Sequence, residues 1–297
     1  MKILMTGGTG FLGSALRARL VAAGHSFTVL SRTRTGSEGA STFVPSSALA
    51  GLEPHDAVVN LAGELVVGLW TPAKRRRIYD SRVLTTRAIS DWIEKSREKP
   101  TVFLSGSAVG IYGDGGEATL SEASDVSRVD GFLAKVCRDW EHAASPSAWR
   151  GTRTVLLRTG QVLDSSGGFL GKALPMFRRF PIVILGARES YFPWISLEDW
   201  LGIAMKSLGD SSISGPINLV SPSPVTQAEF TTSLAAKLGK RVRGRVPAWL
   251  LKIAAGEFGA AMTISQRVIP ATATSAGYEF QHPDLRSYLD SDGFFGK

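Results

Sequence analysis

Between the apolar run Lys2-Ile3-Leu4-Met5-Thr6 and the helix-like stretch Ser14-Ala15-Leu16-Arg17-Ala18-Arg19-Leu20, the chain reads Gly7-Gly8-Thr9-Gly10-Phe11-Leu12-Gly13. Glycines at this spacing let a strand reverse tightly into a helix, bring backbone within reach of a pyrophosphate with no Cβ in the way, and seat the helix on its strand. The helix start then offers free N–H groups and a partial positive charge to an anion. A second strand signal follows at Ser26-Phe27-Thr28-Val29-Leu30, completing a βαβ unit. Gly7, Thr9, Gly10, Phe11, Leu12 and Gly13 are therefore the expected contacts of a dinucleotide. The end of the second strand selects which one. An acid there would bond a ribose 2′-hydroxyl, whereas Ser31-Arg32, with no carboxylate before Glu38, offers a hydroxyl and a guanidinium fork suited to a 2′-phosphate. The expected cofactor is NADP.

The elements that would hold such a site alternate along the first half. Ala57-Val58-Val59-Asn60-Leu61-Ala62-Gly63, a helix around residues 81–95, Thr101-Val102-Phe103-Leu104-Ser105, a helix over about 132–144 and Thr154-Val155-Leu156-Leu157-Arg158 follow one another. Continuous apolar strands separated by helices predict a parallel sheet covered on both faces, wound by right-handed crossovers. Ligands of such sheets gather beyond the carboxyl ends of strands, which marks Leu61-Ala62-Gly63, residues 106–113 and residues 159–162 beside the glycine turn. Proline and glycine punctuate the second half, which reads as a smaller lobe closing over the cofactor. Residues 33–47 read as a polar, mobile loop.

Composition narrows the function classes. With 297 residues, 43% of them hydrophobic, the chain can bury a large core. No apolar run is long enough to span a bilayer, and the expectation is a soluble, cytoplasmic protein with no membrane partner. One cysteine, Cys137, excludes an internal disulfide, and the four histidines lack metal-ligand spacing, so no metal is expected. The net charge of +8 comes from short, scattered runs such as residues 74–77 and 240–245, without aromatic interleaving, and reads as a solvated surface with no nucleic-acid partner.

Residues 6–13 and Asn60-Leu61-Ala62-Gly63 resemble the T-G-x-x-G-x-x-G turn and a strand signature of the extended short-chain dehydrogenase/reductases, the NAD(P)-dependent epimerase/dehydratase superfamily. Trp70-Thr71, residues 80–86, residues 137–141, Leu157-Arg158-Thr159-Gly160 and a C-terminal stretch of about 245–292 are similar to an atypical, uncharacterised epimerase branch with its own C-terminal module. The resemblance implies an α/β fold, a Rossmann-type doubly wound parallel sheet over residues 1–165 with a smaller substrate-side lobe over 166–297, the two interleaved. It implies that Leu61, Ala62 and Gly63 border the adenosine, that Arg82 reaches the cofactor and that Val162 lies by the nicotinamide. Extended relatives often dimerise through two sheet-flanking helices, so a homodimer fits, although no surface is diagnostic.

The catalytic pattern of that superfamily is a Tyr acid/base, a Lys four residues later that lowers its pKa, and a Ser that bonds the reacting oxygen. Ser107 fits the serine. The expected Tyr-x-x-x-Lys helix places Leu133 and Cys137, or Phe132 and Val136, at the two positions, so neither register supplies the pair. Tyr112 is one candidate donor in its stead; a substrate group or water is the other, with hydride transfer left intact. Two readings stay open: an oxidoreductase or epimerase-like enzyme acting on an unidentified small molecule, and a non-catalytic NADPH-binding sensor.

Overall fold

The computed structural model describes residues 1–148, 151–291 and 294. Its centre is an eight-stranded sheet built from β1 (Lys2–Thr6), β2 (Ser26–Ser31), β3 (Gly36–Glu38), β4 (Ser41–Pro45), β5 (Ala57–Asn60), β6 (Val102–Ala108), β8 (Arg153–Thr159) and β13 (Gly215–Leu219). The spatial order is β13-β8-β6-β5-β1-β2-β4-β3, parallel throughout except for the β3–β4 hairpin. The chain runs outward from β1 through β2 to β4, then returns to β5 on the other side. The switch point, where a crevice opens for ligand, therefore lies between β1 and β5.

Side-chain alternation explains the two covered faces. Ile3, Met5, Val29, Val59 and Leu104 pack with Leu16 and Leu20 of α1 (Phe11–Ala22) and Trp200 and Leu201 of α5 (Leu197–Gly209). Leu4, Leu30, Val58 and Phe103 point the other way, onto Ile89, Trp92 and Ile93 of α2 (Pro72–Lys95) and Ala144 of α3 (Phe132–Ala148). α2 begins well before the expected helix at residue 81. The Thr71 hydroxyl caps it by accepting the Lys74 N–H, and Pro72, with its φ already helical, starts the first turn.

Residues 33–47 are not simply a mobile loop, because β3 and β4 lie within them and β4 extends the parallel sheet beside β2. Phe43 accounts for the difference. It is buried at the sheet edge, with the Arg34 guanidinium 4.3 Å and that of Arg17 5.3 Å from its ring centroid.

Beyond residue 165 the chain does not remain in a separate lobe, since α5 and β13 return to the central sheet. The smaller lobe contains α4 (Gly168–Arg179), α6 (Gln227–Lys237), α7 (Ala248–Ala261), α8 (Ala271–Ser275) and α9 (Leu285–Leu289). Two strand pairs stitch it to the larger one, β7 (Thr119–Leu120) with β16 (Arg267–Val268) and β9 (Gln161–Asp164) with β12 (Trp194–Ser196), and two lie within it, β10 (Ile182–Leu185) with β15 (Val242–Val246) and β11 (Tyr191–Phe192) with β14 (Val225–Thr226). Trp194 is a core residue of this lobe, fully buried 5.9 Å from the Tyr288 ring. Ser196 caps α5: its hydroxyl donates to Asp199 Oδ2 (2.7 Å) and accepts the Asp199 N–H (3.0 Å).

Candidate functional site

The glycine turn forms the floor of the crevice. Gly7 has φ +71°, and a Cβ there would stand 2.4 Å from the Leu61 carbonyl oxygen. At Gly13 a Cβ would stand 2.1 Å from the Gly7 carbonyl oxygen, so α1 sits directly on the turn only because both residues lack side chains. Gly10 occupies the N-cap with no side-chain cap, and the first turn carries no acid. The N–H groups of Phe11, Leu12 and Gly13 have no intrahelical acceptor in that position, and a Cβ at Gly10 would meet nothing nearer than the Gly7 oxygen at 3.3 Å. This is a backbone cradle open to an anion at the positive end of a helix, and it fits the pyrophosphate of a dinucleotide.

At the rim, buried Ser31 shapes the turn that follows β2, its hydroxyl oxygen accepting the N–H groups of Thr33 (3.3 Å) and Arg34 (3.1 Å). Arg34 is engaged by Glu38 at 2.9 Å and by Phe43. Arg32 is exposed and has no ion-pair partner among the described residues, which leaves its guanidinium available for a phosphate. Glu64 stands across the crevice, its carboxyl held below the usual range by the Lys74 hydrogen bond (2.9 Å) and by the fields of Arg77 and Arg32.

The third wall is the segment after β5. Asn60, wholly buried, accepts from the Thr6 hydroxyl (2.5 Å) and the Ala62 N–H (3.3 Å) and donates to Thr86 Oγ1 on α2 (2.7 Å). That triple anchor fixes the path of Leu61-Ala62-Gly63. Arg82 supports it from behind, donating from Nη1 to the carbonyls of Glu64 (3.0 Å) and Ile78 (3.2 Å), with its guanidinium so close under Gly63 that a Cβ would lie 3.1 Å from Cζ. Burial works against its charge and lowers its pKa from the arginine range. Arg82 thus positions the loop through Nη1, while its Nε and Nη2 make no hydrogen bond to the described residues. Val162 is buried in β9, paired with Ile195, and belongs to the core cluster shared with α1. The following Gly167 and Gly168 lie against the Phe11 ring, which links the start of α1 to the second lobe.

The hydroxyls expected to serve catalysis are committed elsewhere. Ser107 lies on the same face of β6 as Phe103 and donates to Glu141 Oε1 on α3 (2.6 Å). Arg158 on β8 grips the same carboxylate with Nε (2.8 Å to Oε1) and Nη2 (2.9 Å to Oε2) and donates from Nη1 to the Tyr112 oxygen (2.9 Å). Tyr112 in turn donates to Asn218 Oδ1 on β13 (2.7 Å), and Asn218 donates from Nδ2 to the Ile269 carbonyl (3.0 Å). Ser107, Tyr112, Glu141, Arg158 and Asn218 are all buried. Burial pushes the Tyr112 phenol up, against the pull of Arg158. Their geometry makes Ser107 and Tyr112 parts of a buried polar lattice, not solvent-facing donors to a substrate carbonyl.

Sequence reasoning assigned no role to Glu141, Arg158 or Asn218. The available signal was Arg158 itself, a charge closing the apolar run Thr154–Leu157, which a strand covered on both faces tolerates only with a buried partner. At the usual acid/base position, Leu133 and Cys137 face the turn after β6, where a Cβ on Gly110 would lie 3.6 Å from Leu133 Cβ and 3.8 Å from Cys137 Sγ. Burial, helped by the Glu141 charge, pushes the Cys137 thiol up to about 12. The native protein should resist thiol reagents at pH 8 and become labelled in denaturant; labelling of the folded protein at the rate of a free thiol would contradict this placement. Among the described residues no group of three or more His, Cys, Asp or Glu could hold a metal ion.

Residues 3–211 match the NAD dependent epimerase/dehydratase family, and residues 246–291 match a domain of unknown function, DUF1731. This chain belongs to the NAD-dependent epimerase/dehydratase family. Human epimerase family protein SDR39U1 is 34% identical over 293 residues, covering 97% of this chain and 98% of that protein, and Bacillus subtilis epimerase family protein YfhF is 33% identical over 300 residues, covering 97% of each. The crystal structure of human SDR39U1 (isoform2) with NADPH superposes with a TM-score of 0.89 at 32% identity, covering 97% of this chain and 98% of that one. MoeE5 in complex with UDP-glucose and NAD, at 19% identity and a TM-score of 0.78, shares the fold. The family match runs from β1 through α5 and takes in the central sheet apart from β13, and the DUF1731 match spans α7, α8 and α9, the part of the second lobe whose Ile269 carbonyl meets Asn218.

Proposed function

We propose that this chain binds NADP(H) in the crevice between β1 and β5, and that binding the nucleotide, rather than turnover through a protein phenol, is its function. The carrying observation is the pairing of an intact cradle with spent hydroxyls. Gly7 to Gly13 leave backbone donors open to a pyrophosphate, while Ser107 and Tyr112 are held in the Glu141–Arg158 lattice. The NADPH bound by human SDR39U1 supports the choice of nucleotide. Gly7, Thr9, Gly10, Phe11, Leu12 and Gly13 would hold the pyrophosphate, Ser31 and Arg32 the 2′-phosphate side, and Leu61, Ala62 and Gly63 the adenosine side, with Val162 near the nicotinamide. The nucleotide supplies hydride chemistry when bound. What the chain itself supplies is grip, orientation and a dry wall.

An oxidoreductase or epimerase-like activity on a small polar molecule is the second reading. It is favoured by a shallow cleft of about 440 Å³ beside β16, lined by Arg188, Arg267, Tyr191 and Glu117 among others. Gln266, next to Arg267, donates to the carbonyls of Val109 and Gly113 and so ties this cleft to the turn after β6. Following NADPH fluorescence in the presence of aldehydes, ketones and nucleotide sugars separates the two readings. Tight binding with no substrate-dependent oxidation is the result expected; sustained oxidation would move the assignment to the enzyme, with Tyr112 as the proton donor if Tyr112→Phe abolishes it and another donor if it survives.

A further inference from the structure

The second lobe carries an apolar and cationic surface. α7 opens with Trp249, Leu250 and Ile253 on one helical face, and they are 63%, 41% and 74% exposed. Isolated exposed apolar side chains are ordinary, but several together on one face mark a binding surface. The helix is held from its other half: Phe258 lies 6.1 Å from the Trp70 ring, Glu257 pairs with Arg75 at 2.6 Å, and Gly259 is buried. Exposed Leu69 reaches Gly256, which adds the loop after β5 to the same surface.

The charge comes just before α7 along the chain. Arg241, Arg243 and Arg245, on and beside β15, and Lys252 on α7 are all exposed, and none has a carboxylate within ion-pair distance among the described residues. At the start of this strand Lys240 Nζ donates to the carbonyls of Phe177 (2.6 Å), Arg178 (2.5 Å) and Phe180 (3.2 Å). That contact brings the end of α4, with exposed Met176 and Phe180 beside Arg178 and Arg179, alongside the arginines. The surface therefore has apolar side chains at either end of a run of unpaired guanidinium groups.

Charge decides the occupant. A second copy docked about a twofold axis would set these arginines against their own equivalents. A nucleic acid would satisfy the arginines and leave Leu250, Ile253 and Met176 in water. The interface of a bilayer containing acidic lipids accepts both kinds of group at once, with phosphates for the guanidinium groups and the headgroup–acyl boundary for Trp249, Leu250 and Ile253. We infer that the α7–β15–α4 surface docks this protein peripherally on anionic membranes. The sequence-based expectation of no membrane partner rested on the lack of a spanning segment, and a helix lying in the interface needs none; no described helix is long and apolar enough to cross a bilayer.

Co-sedimentation of the full chain with extruded vesicles tests this. Binding to phosphatidylcholine mixed with phosphatidylglycerol should exceed binding to phosphatidylcholine alone by at least about tenfold. Ile253→Glu, which removes insertion, and the pair Arg243→Glu/Arg245→Glu, which removes attraction, should each reduce it by about tenfold. Melting temperatures and NADPH affinity should match the unsubstituted protein. Equal binding to both vesicles, no binding to either, or retention unchanged by Ile253→Glu overturns the proposal. A concentration-dependent dimer abolished by Ile253→Glu would assign the surface to a second copy instead, and salt-sensitive retention on a DNA duplex that ignores Ile253→Glu would assign it to nucleic acid; either result overturns it.

Discussion

Glu141→Leu is expected to lower the unfolding free energy by about 3–5 kcal/mol, because it leaves the Arg158 guanidinium buried with no counter-charge. Arg158 and Glu141 are 5% and 9% exposed, so little solvent reaches the guanidinium to offset the lost carboxylate. The Ser107 hydroxyl loses its acceptor in the same step, while Arg158 keeps only the Tyr112 oxygen. In a chain of 297 residues the loss should appear as a fall in melting temperature of about 5–8 °C. The double variant Glu141→Leu/Arg158→Met should recover most of it, since replacing both members of a buried pair by apolar groups is often neutral. Thermal denaturation of the two singles and the double forms a complete cycle. A loss below about 1 kcal/mol in the single variant, as measured for solvent-exposed pairs, would mean that the pair is solvated and that the lattice does not lock the core.

Gly13→Ala is expected to separate nucleotide binding from folding. Its methyl would stand 2.1 Å from the Gly7 carbonyl oxygen and 2.9 Å from Gly8 Cα, and both obstacles are backbone, so the first turn of α1 has to lift off the glycine turn. Overpacking of this kind costs about 1–3 kcal/mol of stability. Lifting the helix start also misaims its free N–H groups, and losing two charge-assisted hydrogen bonds to a phosphate corresponds to about 100-fold or more in affinity. Calorimetric titration with NADPH together with a melting curve distinguishes the two effects. Retained affinity in a folded Gly13→Ala protein would show that the cradle is not where the pyrophosphate sits.

How far the sequence carried depends on the range of the interactions. The glycine turn, β1, β2, β5, β6 and β8 were legible because their signals are local: an apolar run, a turn that only glycine can make, a helix start. β4 was hidden because Ser41-Thr42-Phe43-Val44-Pro45 is short and half polar, and what makes it a strand is Phe43 filling a gap at the sheet edge under two arginines. The early start of α2 was readable in Thr71-Pro72, a cap and a first-turn proline. Ser107 illustrates the opposite limit. Its position after a strand suits a carbonyl-binding hydroxyl, yet the acceptor that claims it is 34 residues away on α3, and the lattice continues to Asn218, 106 residues from Tyr112. No spacing rule reaches that far. Arg82 was placed at the crevice by resemblance, and its buried stacking beneath Gly63 follows only once α2 and the loop after β5 are packed together.

On the proposed function, the crevice between β1 and β5 holds a dinucleotide whose 2′-phosphate is read by Arg32. Calorimetry on protein stripped of carried-over nucleotide, titrated with NADPH and NADH before and after Arg32→Glu, tests it most directly. The unsubstituted protein should bind NADPH more tightly than NADH, and the variant should lose about 100-fold for NADPH with NADH nearly unchanged. Equal losses for the two nucleotides, or no binding heat with either one before substitution, would contradict it.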